Sequence, residues 1–370
     1  MIIGCPKEMK TSETRVALTP DWVKTLSSSG HKVIVQKSAG AACEFSDEAY
    51  AENGAEIVNT IEEVYSRAEF VVKVKELMPM EFDLVKENQI IMAWFHLAED
   101  VDNEMTQALL DAKSIALGME LIVLPDGTRP TIKPMSEIAG TLAMLEAVKY
   151  SQYGYGGKGI LLRKLSGLPS PKVLILGGGN AGLNAAQVAI GLGLNVTIVE
   201  ASWKRISELR YMIPQADVIY FEKQLITKLF TQCDIFLNTI YTEPGQSVVI
   251  TRGMVKEMKK DALIIDIVGG GIVETSHYTS LEDPIYYEEG ILHYNVANMP
   301  ALCPKTSTTA LLLSSGPYIL AIADKGLKQA LIDDPSLRKS IFTLGGKIVH
   351  SEVGINQNMP YIQFDIDMLQ

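Results

Sequence analysis

Residues 172–202 read KVLILGGGNAGLNAAQVAIGLGLNVTIVEAS and carry the clearest structural pattern of the chain. An apolar run leads into Gly177, Gly179 and Gly182 in GxGxxG spacing, and an Ala-rich segment and a second apolar run follow. In a strand–turn–helix unit the first glycine permits the tight turn, the second lets the backbone approach a pyrophosphate, and the third allows close packing of helix on strand. Glycine-rich turns also occur where they only close a βα unit, but here strand, helix and a terminal acid are all in place. The stretch therefore predicts a dinucleotide-binding unit.

The predicted cofactor is NAD. The helix that opens at Asn180 and Ala181 offers backbone amides to a pyrophosphate. Glu200 ends the next apolar run, where a carboxylate accepts hydrogen bonds from the ribose hydroxyls and repels a 2′-phosphate, which favours NAD over NADP. The plainer alternative for Glu200 is a solvated carboxylate at a strand end.

The rest of the chain predicts a second α/β unit, since 370 residues exceed what one hydrophobic core usually serves. Apolar runs predict strands in the first 120 residues, with helical spacing between them. The predicted strands are 2–5, 31–36, 70–74, 90–95 and 114–118, and the predicted helices are 20–28, 80–88 and 102–112. A long helix over 135–150 leads to a second series of strands at 173–176, 196–199, 218–221, 235–238, 263–267 and 291–294. An apolar helix over 308–323 and a polar tail then return to the first domain.

Composition excludes several classes of function. The formal net charge of -11 and the absence of a dense Lys/Arg cluster argue against nucleic acid as a partner. The opening MIIGCPKEMK is too short and too polar for a signal peptide or a membrane span, so we expect a cytoplasmic protein without a membrane partner. The four cysteines are scattered without metal-ligand spacing, so no metal site is predicted.

A polar rim is predicted in the first domain, because ligands of doubly wound sheets bind outside the carboxyl ends of the strands. Arg15 follows the first strand, Lys75 ends FVVKVK, His96 follows IIMAWF, and Glu120 follows the fifth strand. Arg binds a carboxylate bidentately, Lys polarises a carbonyl and His exchanges a proton near neutral pH, which suits a small 2-oxo or 2-amino acid. Each of these residues also has a structural alternative, a satisfied His or a solvated Lys.

Six blocks of sequence, in order from end to end, resemble the alanine dehydrogenase and transhydrogenase family. They are PKEMKTSETRVALTP (6–20), KVKE (73–76), FHLA (95–98), PMSEIAG (134–140), GGGNAG (177–182) and VANMPALCPKTST (296–308). The resemblance implies an α/β fold of two Rossmann-like doubly wound domains, with the NAD-binding domain (136–299) inserted into a split catalytic domain (1–135 and 300–370). It implies reversible, NAD-dependent oxidation of L-alanine to pyruvate and ammonia by a homo-oligomer, a hexamer or a dimer.

The resemblance also assigns roles to single residues. It implies that Arg15 and Lys75 bind the substrate carboxylate and oxo group and that His96 is the acid/base, with Lys75 also catalytic. It places the glycine-rich turn, with Asn180 and Ala181, and Glu200 on the cofactor. It adds five further cofactor contacts: Ser136, Ile267, Val296, Asn298 and Met299.

The sequence departs from the family pattern at Gly270, within DIVGGGIVE, where alanine dehydrogenases typically carry a second Asp four positions after the one at Asp266. Two alternatives to the default alanine/pyruvate pair follow. One is an opine- or saccharopine-type reductase that couples an amino acid to a 2-oxo acid, for which Gly270 leaves room. The other is a catalytically impaired paralogue that binds NAD(H), against which the presence of Arg15, Lys75 and His96 together argues.

Overall fold

The computed structural model describes residues 1–99, 103–240, 248–269 and 271–369. The chain divides into two compact units. Unit 1 comprises Met1–Met135 and Ala301–Gln370, and unit 2 comprises Ser136–Pro300. Each unit is built on one β-sheet, so the chain has the α/β fold of two Rossmann-like units that the sequence predicts.

The strands of the described residues are, in chain order, β1 Ile2–Cys5, β2 Lys32–Gln36, β3 Ala55–Val58, β4 Phe70–Lys75, β5 Ile90–Trp94, β6 Ile115–Gly118, β7 Lys172–Leu176, β8 Asn195–Glu200, β9 Asp217–Tyr220, β10 Ile235–Asn238, β11 Leu263–Asp266, β12 Ile285–Glu288, β13 Ile291–Tyr294, β14 Ile341–Leu344 and β15 Lys347–Ile348.

The α-helices of the same residues are α1 Pro20–Ser28, α2 Asp47–Glu52, α3 Ile61–Arg67, α4 Glu104–Asp111, α5 Ile132–Tyr150, α6 Asn180–Gly191, α7 Trp203–Met212, α8 Lys223–Phe230, α9 Arg252–Lys256, α10 Pro304–Lys325, α11 Leu327–Asp333, α12 Pro335–Arg338 and α13 Ser351–Asn356. The predicted helix over 102–112 corresponds to α4, and its residue 102 lies outside the described ranges.

The sheet of unit 1 has the order β15-β14-β6-β5-β4-β1-β2-β3. The strands from β3 to β6 run parallel, whereas β14 and β15 add antiparallel pairs at one edge. The chain winds outward from β1 through β2 to β3 and then returns to β4 on the other side of β1. The pair β1/β4 is therefore a topological switch point, the place where such sheets open a crevice at their carboxyl edge.

One predicted element of unit 1 is wrong. Residues 80–88 form no α-helix, and a 3-10 helix, Pro79–Leu84, takes part of their place. The buried residue of that segment is the carboxylate of Glu81, while Met80 is 60% exposed, so the apolar spacing does not build a buried helical face. The segment therefore buries the carboxylate of Glu81, which pairs with Lys73, and not the apolar face of an amphipathic helix.

The sheet of unit 2 has the order β12-β13-β11-β10-β7-β8-β9. All pairs are parallel except the β12/β13 hairpin. The switch point lies between β7 and β10, so the glycine-rich turn after β7 opens at the crevice-forming position of this sheet.

Helix α10 is the described helix that is long and apolar enough to cross a membrane by length and composition, and 50% of its apolar window is buried inside the protein. It packs in unit 1 against α1, where a Cβ on Gly316 would meet the ring of Trp22 at 2.1 Å. These contacts are those of a core helix in a folded domain.

Candidate active site

The glycine-rich turn of unit 2 has the geometry that its spacing predicts. Gly177 has φ +98°, a left-handed conformation that side chains disfavour. A Cβ on Gly182 would lie 2.0 Å from the carbonyl oxygen of Gly177, so only glycine lets α6 approach the strand this closely. Among the described residues, a Cβ on Gly179 would meet no atom within 4 Å, on the side where the motif predicts a pyrophosphate.

The amides at the start of α6 and the carboxylate of Glu200 flank this turn. Gly179 precedes the helix, and no side chain in the described part of the chain caps its first N–H groups, which include those of Asn180 and Ala181. Glu200, half-buried at the end of β8, accepts a hydrogen bond from the Gly178 amide at 2.9 Å. This arrangement fits a dinucleotide, because the helix amides can donate to the pyrophosphate and the carboxylate of Glu200 can accept from the ribose hydroxyls.

The other predicted cofactor residues of unit 2 lie at the same carboxyl edge or beside the turn. Ile267 follows β11, and its amide donates to the Asn238 carbonyl at 3.2 Å. After β13, Val296 and Met299 are buried and Asn298 has φ +60°. Ser136 stands one turn before Gly140 on α5, where a Cβ on Gly140 would lie 2.0 Å from the Ala181 carbonyl oxygen. Gly270, the position of the departure from the family pattern, lies outside the described residues.

In unit 1, Arg15 is buried and forms a fork with Glu13. Its Nε donates to Oε1 of Glu13 at 2.7 Å and its Nη2 donates to Oε2 at 2.6 Å. Nη1 lies 3.2 Å from the sulfur of Met135, and the guanidinium carbon lies 5.6 Å from the ring centroid of Trp94. The loop after β1 thus carries Arg15 to the switch point in a fixed orientation, with its charge balanced by a neighbouring carboxylate.

Lys75 is the last residue of β4, across the switch point from that loop. Burial lowers the pKa of its ammonium group, and the positive charges of Arg15 and Lys10 lower that pKa further. Glu76 and Glu13 act in the opposite direction. Arg15 and Lys75 are therefore close enough to interact electrostatically, as the sequence predicts for two residues on one rim.

His96 follows β5 in an exposed position and in a left-handed conformation, with φ +52°. Its backbone amide donates to Oε1 of Glu120 at 2.7 Å. Burial raises the pKa of Glu120, and the charge of His96 lowers it. A non-glycine residue with positive φ costs about 1 kcal/mol or more, and such residues cluster at functional sites.

The predicted rim of unit 1 comes together at the carboxyl ends of neighbouring strands β1, β4, β5 and β6. Three buried carboxylates next to this rim were not predicted from the sequence. Glu8 accepts from the amides of Val74 and Lys75. Glu13 pairs with Arg15, and Glu81 pairs with the buried Lys73. For Glu8 and Glu13 the available signal was the density of charges in PKEMKTSETR directly after a buried strand. Charges in loops are usually solvated, so this signal alone does not predict their burial.

Comparisons with known proteins cover nearly the whole chain. The family model described as alanine dehydrogenase/PNT, N-terminal domain, matches residues 4–139, and the model of the corresponding C-terminal domain matches residues 143–351. An alanine dehydrogenase of Methanococcus maripaludis is 38% identical over 367 residues, covering 98% of this chain and 98% of that protein. One of Geobacillus stearothermophilus is 37% identical over 366 residues, with 98% of each chain covered.

Solved structures give the same result. An L-alanine dehydrogenase superposes with a TM-score of 0.91 at 36% sequence identity, covering 96% of this chain and 99% of that one. A transhydrogenase from Sinorhizobium meliloti shares the fold, with a TM-score of 0.79 at 20% identity over 95% of this chain and 99% of that one. The sequence resemblance is thereby confirmed over both units, and the chain belongs to the alanine dehydrogenase/PNT family.

Proposed function

We propose that this chain catalyses the NAD-dependent, reversible oxidative deamination of a small L-amino acid, with L-alanine and pyruvate as the default pair. The observation that carries the proposal is the placement of Arg15 and Lys75 on the two sides of the β1/β4 switch point. Relatives that match this chain from end to end at 37% to 39% identity carry the name alanine dehydrogenase, which supports the same assignment.

In this proposal Arg15 binds the substrate carboxylate, held in orientation by its fork with Glu13. Lys75 contacts the 2-oxo oxygen, or the amine that replaces it in the reverse direction. Its lowered pKa makes the ammonium a stronger acid, which suits a group that polarises a carbonyl and passes on a proton.

His96 is the acid/base in this proposal, because histidine exchanges protons near neutral pH and this one is exposed at the end of β5. The carboxylate of Glu120 accepts a hydrogen bond from the His96 amide and so holds the backbone of His96. Bound NAD would supply the acceptor for the hydrogen on the substrate α-carbon. The glycine-rich turn and Glu200 would hold that cofactor, with Ser136, Ile267, Val296, Asn298 and Met299 as further contacts and with NAD preferred over NADP. We further propose that the protein works in the cytoplasm as a homo-oligomer of several subunits.

The test is NADH oxidation screened across 2-oxo acids, with either ammonia or an amino acid as the nitrogen source. We expect ammonia-dependent turnover, fastest with pyruvate or a similarly small 2-oxo acid. Turnover that requires an amino acid would replace this proposal by an opine- or saccharopine-type reductase, the alternative that Gly270 suggests. Binding of NADH without any turnover would instead indicate a regulatory paralogue.

Variants connect the activity to the proposed residues. Lys75→Ala and His96→Ala should each remove most turnover and leave the Kd for NADH nearly unchanged, because both residues belong to unit 1 and the glycine-rich turn belongs to unit 2. Lys24→Ala, at an exposed lysine of α1, is the matched control and should keep full activity. Retention of turnover in Lys75→Ala would refute the assigned roles.

A further inference from the structure

The strand that carries Lys75 contains a β-bulge directly before it. In the pairing of β4 with β5, Val72 is opposite Met92, but Lys75 is opposite Trp94, so β4 holds one residue more than its partner between these two pairs. A bulge leaves backbone groups unpaired and shifts the side chains beyond it by one register position. Lys75 accordingly takes the place that Val74 would hold in a regular pairing.

The shift separates two lysines that a regular strand would present on the same face. Lys73 is fully buried, whereas Lys75 reaches the rim of the sheet partly exposed. The direction of the Lys75 side chain therefore depends on the bulge.

The backbone at the bulge is held by a side chain from another part of the chain. Glu8, in the loop after β1, accepts a hydrogen bond from the Val74 amide on Oε1 at 2.6 Å and from the Lys75 amide on Oε2 at 3.2 Å. Each carboxylate oxygen thus accepts from one of two successive amides. The side chain of Glu8 is only 2% exposed, so water does not replace these bonds.

Glu8 also contacts a buried lysine that has a second carboxylate partner. The ammonium of Lys73 lies 3.6 Å from Oε2 of Glu8 and donates to Oε1 of Glu81 at 2.8 Å. The Tyr65 hydroxyl donates to the same Glu81 oxygen at 3.0 Å. Lys73 consequently has two carboxylate partners, of which only Glu8 contacts the backbone beneath Lys75.

We propose that Glu8 is a positioning residue for the reaction: it holds the bulge at Val74 and Lys75, so that the Lys75 ammonium is aimed at the substrate. The inference rests on the proposed function, in which Lys75 contacts the 2-oxo group. Glu8 acts through Lys75 and not on the substrate.

The test compares Glu8→Gln with Glu81→Gln, because each variant removes one carboxylate charge from Lys73. In Glu8→Gln the amide oxygen replaces one acceptor, but the NH2 group opposes a backbone N–H. We expect kcat/KM for the 2-oxo acid to fall about tenfold or more, with the Kd for NADH unchanged. In Glu81→Gln the amides of Val74 and Lys75 keep Glu8 as their acceptor. We therefore expect kcat/KM to stay within about threefold of the unmodified value, although the loss of thermal stability should be comparable to that of Glu8→Gln.

A pH profile separates positioning from general loss of structure. We expect the alkaline limb of kcat/KM to move by about half a pH unit or more in Glu8→Gln, because a displaced ammonium has different neighbours, and to stay in place in Glu81→Gln. If Glu8→Gln does not fold, Glu8→Asp serves instead. It keeps the charge near Lys73 but is one methylene too short to hold both amides, and it should show the same loss of kcat/KM.

Equal loss of kcat/KM in Glu8→Gln and Glu81→Gln, or full activity in the former, would overturn the inference. Lys75→Ala distinguishes that result from failure of the proposed function. If Lys75→Ala is inactive while Glu8→Gln is not impaired, only the role of Glu8 is refuted. If Lys75→Ala is fully active, the proposed role of Lys75 fails, and the role of Glu8 fails with it.

Discussion

The buried imidazole of His293, on β13, should make the stability of unit 2 depend on pH. Burial lowers the pKa of His293 from 6.5 to about 4, and the hydrogen bond to the Ile291 carbonyl only partly opposes this effect. The ring is 1% exposed; Nδ1 lies 3.0 Å from that carbonyl oxygen, and Nε2 lies 2.8 Å from the Thr275 hydroxyl. At neutral pH the lowered pKa keeps the folded ring neutral, and because the carbonyl can only accept, Nδ1 carries the proton and Nε2 accepts from the hydroxyl.

The sign and size follow from proton linkage. Because the folded pKa is depressed, the stabilising contribution is fully present above pH 6.5 and is lost as the pH falls toward 4. At pH 5 the unfolded chain has protonated this histidine almost completely and the folded chain has not, which costs about 2 kcal/mol relative to pH 8. Below the folded pKa the loss approaches about 3 kcal/mol.

The assay is urea unfolding at pH 8 and pH 5 for the unmodified chain and for His293→Gln, which keeps a donor and an acceptor but does not titrate. The change in unfolding free energy between the two pH values should be smaller in the variant by about 2 kcal/mol. His277→Gln, at an exposed histidine that lowers the pKa of His293 less than burial does, should change the pH dependence far less than His293→Gln. An unaltered pH dependence in His293→Gln would show that the buried ring is not the titrating group.

Three further substitutions test the glycine-rich turn and the end of β8. Gly179→Ala should leave stability unchanged and weaken NADH binding about tenfold or more, because its Cβ would meet no described residue within 4 Å but would lie where a pyrophosphate approaches. Gly182→Ala should lower both affinity and unfolding free energy, the latter by about 1–3 kcal/mol, since its Cβ would overlap the Gly177 carbonyl. Equilibrium binding and denaturation distinguish the two, and equal stability losses would refute the reasoning. Glu200→Ser should narrow the preference for NADH over NADPH in kcat/KM, and an unmodified enzyme without such a preference would contradict the role of Glu200.

The interior strands were predictable because parallel strands buried on both faces are continuous apolar runs. Strands β1, β5, β7 and β10 are of this kind, and β4 is apolar apart from Lys73 and Lys75. The strands that the sequence analysis did not identify lie at or near sheet edges: β3, β12, β14 and β15. In β3 the exposed Glu56 interrupts a run of four residues, and β14 and β15 pair antiparallel within a tail that reads as polar. Their pairing depends on partners far away in sequence, which local periodicity does not report.

The rim residues were predictable for a topological reason. Once consecutive strands are parallel, the residues that follow them share one edge, and this argument selects Arg15, Lys75 and His96 without any knowledge of their contacts. The bulge in β4 and the partners Glu8 and Glu13 were not predictable in the same way. A carboxylate in a loop and a carboxylate under a sheet edge have the same sequence signature, and only the folded chain separates them.

The cationic side chains at the carboxyl edge of the unit 1 sheet differ in whether a carboxylate balances their charge. Lys73 is flanked by two carboxylates, and Arg15 is paired with Glu13. The ammonium of Lys75, by contrast, forms no ion pair with any residue in the described ranges, and two neighbouring cations disfavour its charge. An anion placed beside it would supply the missing counter-charge and favour the protonated ammonium, because opposite charges within a few ångströms raise the pKa of an amine. A carboxylate substrate bound at this edge would thus increase the fraction of Lys75 that is protonated, the form able to donate to a 2-oxo group, and a neutral substrate analogue would not. Preference for a carboxylate substrate and protonation of Lys75 are therefore two consequences of the same ammonium charge, which has no ion-pair partner among the described residues.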